Sequence, residues 1–206
     1  MFGPLPPVTR AIILSNIGVF LLQQVAGDVL AQLFALWPLG DELFRPWQLV
    51  TYGFLHQGSL ARFDIAHIFF NMFALYMFGG PLEQSLMGSR RFAIYYLVCV
   101  ISAGATELVV ENATGAGQAV VGASGGVFGL LLAFAWFYPR QRLLLIFPLP
   151  IPMPAWLFVT LYGAVELVFG VTGAEAGVAH FAHLGGMLGG AVSILYWRMR
   201  GRFGGT

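Results

Sequence analysis

The chain contains no lysine: all ten of its basic residues are arginine, against nine acidic ones, for a net charge of +1. Only 9% of its 206 residues are charged, where a soluble domain carries about 25%. That scarcity excludes an ordinary water-soluble surface, and no run of basic residues forms a nucleic-acid patch. Cysteine is nearly absent too. Cys99 is the one thiol, so no intrachain disulfide is possible, and its apolar neighbourhood makes it a small packing residue. No internal repeat and no flexible linker divide the chain.

What is abundant is apolar: 58% of residues are hydrophobic, with 19 Phe and 27 Gly. Glycine is more frequent in membrane helices than in soluble ones. The apolar stretches are continuous rather than alternating, which disfavours a β-barrel. These features predict an all-α membrane protein, a single domain over residues 1–206. The N-terminal apolar run continues to Ala26 and many more follow, so it reads as a retained span, not a cleaved signal.

A spanning helix needs about 20 apolar residues, and six stretches qualify: 9–27, 65–80, 91–110, 120–138, 154–172 and 177–197. Residues 29–39 are apolar but are cut off by Pro38, Gly40, Asp41 and Glu42, and read as an interfacial part of a long first loop. The segment from Phe147 to Pro154 alternates proline with apolar residues, which forbids helix and favours an extended, polyproline-like connector. Arg10, Arg90, Arg91, Arg140, Arg142, Arg198, Arg200 and Arg202 fall on one side of the six-span arrangement, and Arg45 and Arg62 on the other. The positive-inside rule then puts both termini in the cytoplasm.

With a rise of 1.5 Å per residue, Ser124 lies roughly 24 Å above the cytoplasmic border marked by Arg140, and His183 roughly 22 Å above Arg198. His67 lies roughly 24 Å above Glu83, and Asn71 one turn deeper. Four polar groups from three stretches thus share one layer in the outer leaflet. Each has a plainer reading. Ser124 sits among Gly122, Gly125, Gly126 and Gly129, and His183 precedes Gly185, Gly186, Gly189 and Gly190; both stripes suit close helix packing. His67 and Asn71, one turn apart, are able to satisfy each other. Ionisable groups inside a membrane are costly, however, and default to function. The Gly-x-Ser-x-Gly pattern also matches the nucleophile elbow of soluble hydrolases, but that needs a preceding strand; here the context is a membrane helix.

Taken together, His67-x-x-x-Asn71, Gly122-Ala123-Ser124-Gly125 and Ala182-His183-x-x-Gly186-x-x-x-Gly190 resemble the rhomboid family of intramembrane serine proteases, in its compact six-helix bacterial form. Arg45-Pro46-Trp47-Gln48-Leu49-Val50-Thr51, Phe54-Leu55-His56, Gly79-Gly80-Pro81-Leu82-Glu83 and Gly88 add to the likeness, in family order along nearly the whole chain. The resemblance implies a six-helix bundle in a bacterial inner membrane and a serine endopeptidase that cuts transmembrane segments of other proteins in the bilayer. It implies Ser124 as nucleophile and His183 as general base and acid. His67 and Asn71, with Gly122 and the Ser124 backbone N–H, would stabilise the oxyanion. Independently of the resemblance, an unwound substrate strand would pair with Gln118, Ala119, Val120 and Val121 leading into Ser124; Phe128 is a further substrate-binding candidate, stacked on the histidine where several family members carry an aromatic hydroxyl. No cofactor, metal or nucleic acid is implied, nor a carboxylate to orient the histidine; the nearest in sequence is Glu175.

Other polar residues stand beside this set. His180 reads as a solvated residue near the mouth of the site, and Glu107 and Glu166 as interhelical hydrogen bonders. A metal held by His180, His183 and a carboxylate lacks the His-Glu-x-x-His spacing. The family's first-loop Trp-Arg pair appears here as Trp47-Gln48, with Arg45 two residues earlier. A non-catalytic scaffold and a small transporter are the competing readings. Against the first stand both Ser124 and His183; against the second, the lack of inverted repeats and the off-centre polar layer.

Overall fold

The computed structural model describes residues 4–62, 64–115, 117–145, 151–174 and 178–201. Helix α1 (Pro7–Ala26) opens with proline at its first position, where a missing N–H costs nothing. Its next donors, the N–H groups of Val8 and Thr9, are taken up by the Glu83 carboxylate at 3.0 and 2.7 Å. The first loop carries two short helices, α2 (Val29–Phe34) and α3 (Gln48–Thr51), the latter running into a tight turn at Tyr52–Phe54. A long helical path follows: α4 (Ala66–Ala74), a π-type turn at Leu75–Gly79, α5 (Gly80–Leu82), a second π-type turn at Glu83–Met87, then α6 (Gly88–Thr114). Gly88 begins α6 with φ +69° and ψ 160°, a bend open to a residue without Cβ.

Helix α7 (Ser124–Phe137) is followed by a hairpin of β1 (Arg142–Leu145) and β2 (Ile151–Pro154), then α8 (Ala155–Thr172) and α9 (His180–Met199). The hairpin pairs Arg142 with Pro154 and Leu145 with Ile151. It corrects the free polyproline-like connector for residues 151–154: they are extended, as alternating proline dictates, but as one strand of an antiparallel pair. The rest of that connector lies outside the described residues, as does the start of the sixth apolar stretch.

Each of the six apolar stretches contains a helix. By length and composition, Pro7–Ala26, the path Ala66–Thr114 and Ala155–Thr172 are able to cross a membrane. Helix α7 is apolar but 14 residues long, roughly 21 Å at 1.5 Å per residue. It starts later than its stretch because Val120 is drawn into an antiparallel bridge with Leu36 and Gly122 takes φ +132°. Large apolar side chains stand exposed on the outer helix faces, among them Leu22, Phe70, Val109, Val168 and Leu188. In water such a surface invites aggregation; in hydrocarbon it is the required one. The chain is an all-α membrane protein.

The core forms where α9 packs against α6 and α7, and glycine makes the approach possible. A Cβ on Gly189 would meet Ser102 Cβ at 2.5 Å, and one on Gly126 would meet Tyr96 Cε2 at 2.5 Å. A Cβ on Gly186 would fall on the Gly125 carbonyl, and Gly129 lies 3.1 Å from the Gly186 oxygen by the same measure. Around these contacts Tyr52, Phe92, Tyr95, Leu36, Leu75 and Leu130 are fully buried.

Candidate active site

Ser124 is the first residue of α7. The first intrahelical bond runs from the Val127 N–H to the Ala123 oxygen, so the N–H groups of Ser124, Gly125 and Gly126 have no helical acceptor. They form the positive end of the helix dipole. His183 lies in the first turn of α9, on the face carrying Gly186. Because the two helices touch through glycine, Ser124 Oγ comes to 2.8 Å from His183 Nε2.

The histidine is held on three sides. Phe128, one turn beyond Ser124, stacks on it with ring centroids 4.2 Å apart and planes 6° from parallel. Tyr162 of α8 stacks on the other face of Phe128 at 5.2 Å. On the ring edge away from Ser124, His183 Nδ1 lies 2.8 Å from Glu166 Oε2. The same oxygen lies 2.7 Å from His180 Nδ1, and His180 Nε2 lies 3.1 Å from the Ala174 carbonyl. His180 is therefore not a solvated residue at the mouth: it is 5% exposed, drawn in by Glu166. Glu166 and Glu107 both link helices, Glu107 by accepting the Ala182 N–H at 2.8 Å.

Glu166, His180 and His183 present three metal-ligating atoms within 4.8 Å of one another. Their N···O separations of 2.7 and 2.8 Å are hydrogen-bond lengths. A tetrahedral ion with bonds of about 2.0–2.1 Å would hold its ligand atoms about 3.3 Å apart, so the cluster as folded is closed on itself.

His67 belongs to α4 and reaches toward Gly122. Its Nδ1 accepts the Gln57 N–H at 3.2 Å, which leaves Nε2 as the donor nitrogen. A Cβ built on Gly122 would sit 2.9 Å from that Nε2 and 3.7 Å from Ser124 Oγ. The donor and the hydroxyl thus flank one small space that only a glycine leaves open. Asn71 donates one amide hydrogen to the His67 carbonyl at 2.9 Å, which ties it to the same turn and uses one of its two donors.

The segment before Ser124 is fixed by its backbone. Val120 exchanges both bonds with Leu36, at 3.0 and 2.9 Å, and the Gly122 N–H donates to the Tyr52 carbonyl at 3.0 Å. Gln118 is exposed, and Ala119, Val120 and Val121 are half-buried. Val120 has its backbone pair engaged. Phe128 is buried between two rings, so it offers its face to His183 rather than to the outside.

Three residues named from the sequence have partners here that it did not disclose. Glu166 carried a signal, an acid in an otherwise apolar helix, but not its partner. Gln48, in the place of the family's arginine, is fully buried and organises the first loop: it accepts the Arg45 and Trp37 N–H groups and donates to the Leu43 and Leu33 carbonyls. His56 is 2% exposed, with its ring 5.1 Å from that of His67 and neither nitrogen bonded among the described residues. Burial first, and then His67, push its pKa down to about 3.

The family model described as "Rhomboid domain" matches residues 43–200. Similar proteins include "Rhomboid protease GlpG" of Photorhabdus laumondii, 29% identical over 199 residues, covering 92% of this chain and 61% of that protein. The protein of the same name from Serratia proteamaculans is 26% identical over 201 residues, with 95% and 64% covered. That from Klebsiella pneumoniae is 28% identical over 206 residues, with 95% and 65% covered. The chain thus spans 61% to 65% of the length of these relatives. With a family match over most of its length and an apolar helical exterior, this integral membrane protein belongs to the rhomboid family.

Proposed function

We propose that this chain is an intramembrane serine endopeptidase that hydrolyses peptide bonds in or near transmembrane segments of other membrane proteins. The observation that carries this reading is the 2.8 Å contact between Ser124 Oγ and His183 Nε2 at the N-terminus of an apolar helix. His183 Nε2 takes the Ser124 proton as Oγ attacks the scissile carbonyl, then returns it to the leaving amine; water repeats the sequence on the acyl-enzyme. The oxyanion is met by the Ser124 N–H, which has no helical acceptor at the α7 terminus, and by His67 Nε2–H across the space at Gly122, with Asn71 completing the set. Six crossings with cytoplasmic termini are the arrangement that the arginine distribution supports; the inner membrane of a bacterium and a single domain are the setting that the family likeness and the bacterial relatives support.

The substrate in this reading is a helix that unwinds easily, since an intact helix hides its carbonyls in its own bonds. An unwound strand would pair with residues 118–121. Successive backbone groups of an extended chain point to opposite edges. Val120 is bonded to Leu36, so Ala119 and Val121 are the residues left to face a substrate.

The test is incubation of the detergent-solubilised protein with a fluorophosphonate probe and a single-span substrate. Wild type is expected to label and cleave, and Ser124→Ala and His183→Ala to do neither. Cleavage that persists in Ser124→Ala would overturn the reading.

A further inference from the structure

We infer that Glu166 is a positioning residue for the Ser124–His183 pair: its carboxylate holds the His183 ring with Nδ1 protonated and Nε2 open toward the serine. The inference rests on the hydrolytic reading above and departs from what the family resemblance implies, an unassisted pair.

For Ser124 to pass its proton to His183, Nε2 must be bare and Nδ1 must carry the hydrogen. The atom facing Nδ1 must then be an acceptor, and it is Glu166 Oε2 at 2.8 Å. The two nitrogens of one ring thus have partners at 2.8 Å on opposite sides, one an acid oxygen and one a hydroxyl. Phe128 cannot supply this choice. A parallel ring at 4.2 Å keeps the imidazole from tilting, but an apolar face distinguishes neither tautomer nor rotation within the plane.

Glu166 is itself held. His180 Nε2 faces the Ala174 carbonyl at 3.1 Å; a carbonyl only accepts, so that nitrogen is a donor. The other nitrogen of His180 meets Glu166 Oε2 at 2.7 Å. With Nε2–H given to the carbonyl, His180 Nδ1 bonds Oε2 either as the second N–H of an imidazolium or as acceptor of a proton held on Oε2; in both cases Oε2 keeps a lone pair for His183 Nδ1–H, and both histidines converge on it. The side chains of Glu166 and His183 are 7% and 11% exposed, where a charge-assisted bond is stronger than in water. Glu166 lies on α8 and both histidines on α9. The alignment of the base therefore depends on how those two helices sit together.

Glu166→Gln keeps the shape of the side chain and removes the charge. Its amide can turn an N–H toward His183 Nδ1 and favour the wrong tautomer. In serine proteases with a full triad, the matching acid-to-amide change costs about 10⁴ in kcat. Here kcat is expected to fall by about 10²–10⁴ with KM within about threefold of wild type, and fluorophosphonate labelling to slow in parallel. Glu166→Asp is expected to recover at least about tenfold over Glu166→Gln, since it restores the acceptor. A measurement on the wild-type protein needs no variant to fold: nitrogen-15 NMR of the His183 ring is expected to give the Nδ1–H tautomer.

The inference is overturned by an Nε2–H tautomer in wild type. It is equally overturned if Glu166→Gln labels and cleaves within about threefold of wild type while Ser124→Ala is inert, an outcome that leaves the hydrolytic reading standing. Cleavage by Ser124→Ala instead removes that reading, and the role of Glu166 with it.

Discussion

Gly186→Ala tests the geometry on which the site depends. The added Cβ would fall on the Gly125 carbonyl, 2.7 Å from its carbon and 3.2 Å from the Gly125 Cα. Ordinary carbon contacts are about 3.5–4.0 Å, so α7 and α9 would have to part by roughly 1 Å. Ser124 is the residue before Gly125, and His183 is one turn from Gly186. The same shift would stretch their 2.8 Å contact beyond hydrogen-bond length. A misplacement of about 1 Å costs about 10²-fold in rate, and overpacking costs about 1–3 kcal/mol of stability. The assay is fluorophosphonate labelling and substrate cleavage in detergent, with a denaturant titration on the same sample. Gly163→Ala serves as the matched control. Its Cβ would meet only the flexible Met187 side chain, at 3.4 Å, so it is expected to be neutral or to gain up to about 1 kcal/mol from helix propensity. A folded Gly186→Ala protein that labels and cleaves like Gly163→Ala would refute the reasoning.

Three further outcomes are expected. In His67→Ala with Asn71→Ala, turnover should fall by at least about 10²–10³, the usual loss for a single oxyanion donor, while the probe still reaches Ser124; unchanged turnover in a correctly inserted double mutant counts against the oxyanion role. Glu83→Ala removes the acceptor for the Val8 and Thr9 N–H groups and for the Thr9 and Ser89 hydroxyls. With two backbone donors orphaned at about 1–3 kcal/mol each, a loss of about 2–6 kcal/mol is expected in a denaturant titration; a loss within error of zero would show that these bonds are replaced by solvent. His56 is the acid-sensitive element of the first loop: the folded protein resists protonating it until about pH 3, against an ordinary value of 6.5. The unfolded chain takes up that proton first, so stability falls as pH drops from about 6.5 toward 3, by at most about 1.4 kcal/mol per unit. His56→Phe should flatten that dependence between pH 7 and 5; identical slopes would refute it.

The helices were legible because hydrophobic runs of membrane length leave few alternatives, and their order placed Ser124, His183 and His67 in one layer. Their boundaries were less so. Residues 120–123 are as apolar as the helix that follows, and it is the bridge to Leu36 and the Gly122 bond to Tyr52, contacts far away in sequence, that keep them out of it. Residues 151–154 carry the proline signature of an extended segment, but nothing in that signature names Arg142–Leu145 as partner. At the site, the glycine spacing disclosed that helices meet and not which ones: Gly186 faces Gly125, whereas Gly185 and Gly189 face Thr106 and Ser102 of α6. Glu166 stood out as an acid in an apolar run. Its place beside His183 depends on the rotation of α8, which a weakly amphipathic sequence does not encode locally. Gln48 looked like a departure from a family motif; its four-way bonding requires the loop's fold to be known.

The segment leading to Ser124 hangs from the first loop at Leu36 and Tyr52, and every bond in both attachments is between backbone groups. Side-chain identity at those positions leaves such bonds in place, whereas the path of the chain between them does not. The two attachments should therefore survive substitutions that leave the Gln48 bonds in place, but almost no change of length between residues 36 and 52. A single-residue insertion there would displace one anchor relative to the other and move the nucleophile without altering any residue near it.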